Sequence, residues 1–203
     1  MSTPSPIEQH VLELAADQEV LSAREVRALG IHTSALSRLV RDGHLERIGR
    51  GLYRSAQAPP LGSPDLVVVA HRASAAVIGL VSALCHHDLT DEIPRTVDLL
   101  IERDTTVPTI DHPPIRTFKT RREVVTFGVQ ELELDGTTVR MTSPAKTVAD
   151  CFKFRRRVGL DVALAALRQG LEARSFKPAE LMKAAEVDRV AGVVRPYLQA
   201  LLS

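Results

Sequence analysis

The chain has 203 residues, 44% of them hydrophobic and 25% charged, with a formal net charge of +1. These values describe an ordinary globular protein long enough for two domains, and they exclude both a disordered polyelectrolyte and a chain that could hold nucleic acid by overall charge alone. Cys85 and Cys151 are isolated and lack CxxC spacing, the start MSTPSP is polar, and the longest apolar run, Ala75 to Cys85, is far short of the roughly 20 residues that span a bilayer. The expectation is a cytoplasmic protein with no membrane segment.

Apolar positions at Ile7, Val11, Leu12, Leu14 and Ala15 predict an amphipathic first helix over Pro6 to Gln18. Ser22 is placed to cap a short helix through Leu29, stopped by Gly30, and Thr33 or Ser34 to cap a second one ending near Asp42 and Gly43. Two short helices joined by a tight turn form a helix-turn-helix unit. On the second helix Leu36, Leu39 and Val40 share one side, while Ser34, Ser37, Arg38 and Arg41 follow helical spacing on the other. Leu45 to Ile48 and Leu52 to Arg54 then read as two strands around Gly49-Arg50-Gly51, a wing with Arg50 at its tip.

Charge separates this region from what precedes it. Residues 1–30 carry Arg24 and Arg27 against five acids, net −3; residues 31–54 carry Arg38, Arg41, Arg47, Arg50 and Arg54 against Asp42 and Glu46, net +3. Arginine offers a fork to guanine and serine can bond a base edge or a phosphate, so Ser34, Ser37, Arg38, Arg41, Arg47, Arg50 and Arg54 are the candidate contacts to duplex DNA. The alternative is a small helical bundle with a solvated basic face. With no Trp and few Phe or Tyr, the core is expected to be aliphatic, and stacking on single-stranded bases is disfavoured.

The Pro-, Gly- and Ser-rich stretch 56–63 reads as a linker, giving domains at 1–55 and 64–203. Beyond it, helical runs are expected over Pro64 to Arg72 and Ser74 to His86, and strands over Thr96 to Ile101 and Ile115 to Phe118. Val129 to Leu134 and Thr137 to Met141 flank the hairpin signal Asp135-Gly136. Ser143 and Pro144 open a helix, a polar break falls at Arg155 to Arg157, and helices follow from Gly159, after Lys177-Pro178 and after Val187. The plan is α+β: a winged helix-turn-helix domain, then a mixed α/β domain with a small, mostly antiparallel sheet and C-terminal helices.

The remaining clusters of polar residues bear on chemistry. Cys85-His86-His87-Asp88 lacks a second ligand group at metal spacing, so a capped helix end with one His paired to an acid is preferred and no metal or cofactor is expected. Asp98, Glu102, Glu131 and Glu133 could hold a nuclease metal, yet Glu131-Leu132-Glu133 carries no cation and reads as a hairpin's solvent face. Two basic groups, Arg116, Lys119, Arg121 and Arg122, and Lys153, Arg155, Arg156 and Arg157, are candidates for auxiliary DNA or partner contacts, with a solvated face as the alternative. Lys146 and Asp150, four apart, predict a same-helix ion pair contributing a few tenths of a kcal/mol.

Three segments, AVIGLVSALCHHDLTDEIPRTVDLLIE, TSPAKTVADCFKFRRRVGLDVALAALRQGL and VDRVAGVVRPYLQALL, together with the N-terminal pattern, resemble the AbiEi family of antitoxins and transcriptional regulators. The resemblance implies a non-enzymatic bacterial protein that represses its own operon through inverted repeats in the promoter. It also implies a C-terminal domain that counteracts a nucleotidyltransferase-like toxin encoded in the same operon. Two other classes stay open at this point: a DNA-targeted nuclease or nucleotide-modifying enzyme, and a ligand-sensing winged-helix repressor.

Overall fold

The computed structural model describes residues 4–202; the first three residues of the polar N-terminal stretch lie outside the described residues. The chain divides into two units, one made of the chain up to His71 together with Glu133–Val139, the other of Arg72–Leu132 and the chain from Arg140 onward.

The first unit starts with α1 (Pro6–Asp17), where Ser5 and Glu8 close a reciprocal capping box and Val11 and Ala15 face inward. Strand β1 (Leu21–Ser22) leads into α2 (Ala23–Ala28), capped by Ser22 with Glu25 in the same way. Helix α3 (Ser34–Arg41) ends at Asp42 and Gly43; Gly43 has φ +78°, the left-handed conformation in which glycine carries no Cβ penalty. Strands β2 (Leu45–Gly49) and β3 (Leu52–Ser55) follow, forming a three-stranded antiparallel sheet in the order β1-β3-β2. Val11, Val26, Leu36, Leu39 and Leu45 are buried together beneath it.

The stretch 56–63 has no helix or strand, as its composition predicts, but the first unit does not end there. Helix α4 (Pro64–Arg72) buries Val67 and Val68 against Val20 and Leu52, and the Asp135 carboxylate accepts the backbone N–H groups of Gly62 at 3.0 Å and Ser63 at 2.9 Å. Proline and glycine report local irregularity; where a unit closes is decided by which apolar faces the next helix covers.

In the second unit the run expected as one helix over Ser74 to His86 splits into β4 (Val77–Ile78) and α5 (Leu80–His86), because Val77 and Ile78 pair with the next strand. Strands β5 (Val97–Glu102) and β6 (Ile115–Thr120) are followed by a short helix that the sequence pattern did not suggest, α6 (Arg122–Thr126). Then β7 (Val129–Leu134) and β8 (Thr137–Thr142), of which Glu133–Val139 counts with the first unit, flank Asp135 and Gly136, whose φ values of +47° and +66° are those of the predicted two-residue turn. Helix α7 (Pro144–Lys153) opens with Pro144 in its first turn, and the polar break becomes the single turn α8 (Arg155–Val158). Helices α9 (Leu160–Glu172), α10 (Pro178–Val187) and α11 (Ala191–Leu202) complete the chain.

The five strands of the second sheet run in the order β6-β5-β4-β8-β7. Pairing of β5 with β6 is parallel from Val97↔Ile115 to Glu102↔Thr120, β4 with β8 is parallel, and β4 with β5 antiparallel. The sheet is therefore mixed, not mostly antiparallel. A hairpin turn specifies only its own two strands, whereas β5, buried from Val97 through Ile101, is placed by packing on both faces. All five phenylalanines are in this unit: Phe118, Phe152 and Phe176 are buried and Phe127 and Phe154 pack against them, so only the first unit has the expected aliphatic core.

Candidate nucleic-acid interface

Helix α3 separates its two faces cleanly. Ala35, Leu36 and Leu39 are at most 2% exposed, while Ser34, Ser37, Arg38 and Arg41 are all exposed. Its start is held by a group the sequence reading overlooked. Thr33 makes no side-chain cap; instead His32 Nδ1 accepts the Ser34 backbone N–H at 3.2 Å and lies 2.9 Å from the Ser34 hydroxyl. Arg38 and Arg41 fall in the last turn, where cations complement the helix dipole. The Arg38 Nε donates to Glu8 Oε1 at 2.6 Å.

The β2–β3 hairpin presents Arg47, whose Nε donates to the Gly49 carbonyl at 3.1 Å, and Arg50 at its tip; both are exposed. Arg54 is a correction. It is 3% exposed, its Nε lies 3.4 Å from Glu46 Oε1, and its Nη2 donates to the Pro59 carbonyl. Along β3, alternation puts Arg54 on the same inward face as Leu52, so it braces the hairpin from inside and is removed from the candidate contacts.

In the second unit the two basic groups, almost forty residues apart, meet. Arg157 Nη1 donates to the Thr117 carbonyl at 3.2 Å, and the guanidinium carbons of Arg157 and Arg116 sit 4.0 Å and 5.1 Å from the Phe118 ring centre. Most members have structural partners. Arg116 holds both oxygens of the buried Asp98 at 2.8 Å, Lys119 donates to the Thr105 carbonyl, and Arg155 to the Phe152 carbonyl. Arg121 and Lys153 donate to the carbonyls of Val187 and Asp188 at the C-terminal end of α10, a favourable place for cations. Arg122 is exposed, 3.8 Å from Glu102, and Arg156 is exposed on α8.

Lys146 and Asp150 are not a surface pair. Both are 0% exposed, and a third residue, Asp188, completes a buried triad: Lys146 Nζ donates to Asp150 Oδ1 and to Asp188 at 3.2 and 3.3 Å. Burial pushes the Asp150 carboxyl up to about 8 against the attraction of Lys146, and raises Asp188 in the same sense. One ammonium between two carboxyls is neutral when the aspartates share a single proton. Asp150 Oδ2 accepts no hydrogen bond from the described residues, so an ionised Asp150 would be stabilised through Oδ1 alone. Asp188 follows α10, forty-two residues from Lys146, and only the fold brings it to α7.

The other clusters resolve structurally. His87 Nε2 donates to the Thr142 carbonyl at 2.8 Å instead of pairing with an acid, and burial lowers its pKa, so it remains neutral. Asp98 spends its carboxylate on Arg116 and on the Val81 N–H, and it lies three strands from the exposed Glu131, about 14 Å at ordinary strand spacing. The described residues contain no group of three or more His, Cys, Asp or Glu suited to a metal. Nor is any described helix long and apolar enough to cross a membrane.

The molecule is thus a mixed α/β protein with two sheets, whose first unit displays a cationic helix face beside a basic hairpin. Residues 9–56 match the family model described as "Transcriptional regulator, AbiEi antitoxin", and in this segment the chain is AbiEi-like. The match falls on the N-terminal region, while the segments that carry the resemblance in the sequence lie beyond it. No curated protein matches the chain. Among solved structures, that of the RV2827C protein from Mycobacterium tuberculosis aligns with 92% of this chain and 83% of that one, at 13% identity and a TM-score of 0.45.

Proposed function

We propose that the chain is a non-enzymatic, cytoplasmic, DNA-binding repressor of its own operon and the antitoxin to a nucleotidyltransferase-like toxin encoded there. In this reading α2 and α3 form the helix-turn-helix, the β2–β3 hairpin is the wing, and inverted repeats in the promoter are the operator. The observation that carries it is the α3 face: Ser34, Ser37, Arg38 and Arg41 are exposed together over a buried Leu36 and Leu39. That is the pattern a major-groove helix needs, an apolar back docked on its own unit and a front of short polar and forked cationic groups. The match over residues 9–56 to a regulator family supports the same reading. Arg47 and Arg50 serve as phosphate contacts from the wing. Of the auxiliary candidates, Arg122 and Arg156 are the most available to DNA or a partner, since the others are tied to carbonyls, a ring or Asp98.

Binding to duplexes that carry the chain's own promoter tests the proposal. Arg38→Ala or Arg41→Ala is expected to weaken binding by about 1–3 kcal/mol, roughly 5- to 150-fold, and to relax preference at one base pair. Arg50→Ala is expected to weaken all sequences alike and to lower the salt slope by about one. Wild-type affinity in all three variants would remove α3 and the hairpin from the DNA surface.

A further inference from the structure

Arg38 is held in place before any ligand arrives. Its Nε donates to Glu8 Oε1 at 2.6 Å, and Glu8 is itself fixed: its Oε2 accepts the Ser5 backbone N–H at 2.8 Å and the Ser5 hydroxyl at 2.9 Å. The carboxylate that closes the capping box of α1 therefore also grips an arginine thirty residues away, at the last turn of α3. The Glu8 side chain is 12% exposed and that of Arg38 48%, so the grip is at the inner end of the guanidinium. Hydrogen bonds from Ser5 and then from Arg38 pull Glu8 down to about 2, which keeps it anionic at any working pH.

A guanidinium has five N–H donors in one plane, and engagement of the single Nε–H leaves the four N–H groups of the two Nη atoms to other acceptors. That pair is the fork which reads the O6 and N7 of guanine. Glu8 also offsets the charge of Arg38, so the side chain gains less from an anonymous phosphate than an unpaired arginine would.

We propose that Glu8 is a positioning residue for base reading: it pre-sets Arg38 for a single base pair and restrains that arginine from sequence-independent phosphate binding. The inference rests on α3 being the DNA-facing helix, and its test separates the two. A preferred duplex is first selected from a random library by the full-length wild type. Affinities for that duplex, its single-base variants and a scrambled duplex are then measured at three salt concentrations.

Glu8→Gln keeps an oxygen for Ser5 but removes the charge. It is expected to bind the scrambled duplex about 3-fold or more tightly, to steepen the salt slope by up to about one, and to lose at least about 5-fold of discrimination at the base pair that Arg38→Ala relaxes. In an Arg38→Ala background Glu8→Gln is expected to change nothing further. Ala15→Gly, which weakens α1 at its far end and leaves Ser5, Glu8 and Arg38 in place, is expected to lower the melting temperature without altering discrimination. Should Glu8→Gln not fold, Arg38→Lys carries the test: the ammonium still pairs with Glu8 but has no second arm, so discrimination falls while scrambled-duplex affinity stays.

Unchanged discrimination in Glu8→Gln or, in its place, Arg38→Lys, with discrimination relaxed by Arg38→Ala, overturns this inference and leaves the DNA reading standing. Equal loss in Ala15→Gly overturns it too, since helix stability alone then explains the effect. If the wild type selects no duplex, or Arg38→Ala alters none, the DNA reading of α3 falls and this inference falls with it.

Discussion

The two units use the same residue types in opposite ways. In the first, Arg38, Arg41, Arg47 and Arg50 lie outside a small apolar core and are exposed, with Glu8 holding Arg38. In the second, Lys146 is wholly buried, Arg116 neutralises a buried aspartate, and Arg121 and Lys153 cap the end of a helix. A run of basic letters therefore says little until the fold assigns each charge an environment. Exposed cations are available for a partner; enclosed ones are committed to their own chain.

The sharpest way to break this contrast is Lys146→Ala. Removing one member of a buried ion pair strands the other, so the second unit is expected to lose about 3–5 kcal/mol in urea unfolding, against changes of about 0.5 kcal/mol or less for Arg41→Ala on the exposed α3 face. Equal, small losses at both positions would show that the triad is not the enclosed network described here.

The next test uses pH. A carboxyl whose folded pKa is raised stabilises the fold most where it is protonated in both states. That contribution is complete below about 4 and declines as pH rises through about 8, because the unfolded chain releases the Asp150 proton more readily. Melting temperature is expected to fall between about pH 4 and about pH 8 and to level off above, and Asp150→Asn, neutral at every pH, to flatten that fall. A decline of the same steepness in Asp150→Asn would assign it to other groups.

The smallest effects are expected at Arg122 and Arg156. Single alanine replacements there should leave stability within about 0.5 kcal/mol of wild type, and any change in promoter binding should diminish as salt is raised. A loss above 1 kcal/mol in thermal unfolding would place these side chains among the committed cations instead.

Much of the first unit was legible in the sequence because its determinants are local. Apolar spacing from Ile7 to Ala15 marks the first helix and Ser22 the start of the second, helical spacing separates Leu36 and Leu39 from Arg38 and Arg41, and the glycines flanking Arg50 mark the hairpin. Asp135-Gly136 fixed the β7–β8 turn for the same reason. Arg54 was misread because β3 carries it inward beside Leu52, where Glu46 and the Pro59 carbonyl receive it.

What only the tertiary structure decided is every contact between distant segments. The first helix could be recognised from its apolar spacing, but not the hold of Glu8 on Arg38. Likewise Lys146 and Asp150 could be paired by spacing, but not enclosed with Asp188. The parallel pairing of β5 with β6, and the return of the Asp135 turn to Gly62 and Ser63, belong to the same class. Local spacing sets which face a side chain takes; whether that face meets water, a carbonyl or a buried charge is set by packing between segments far apart in the chain, which composition and periodicity do not encode.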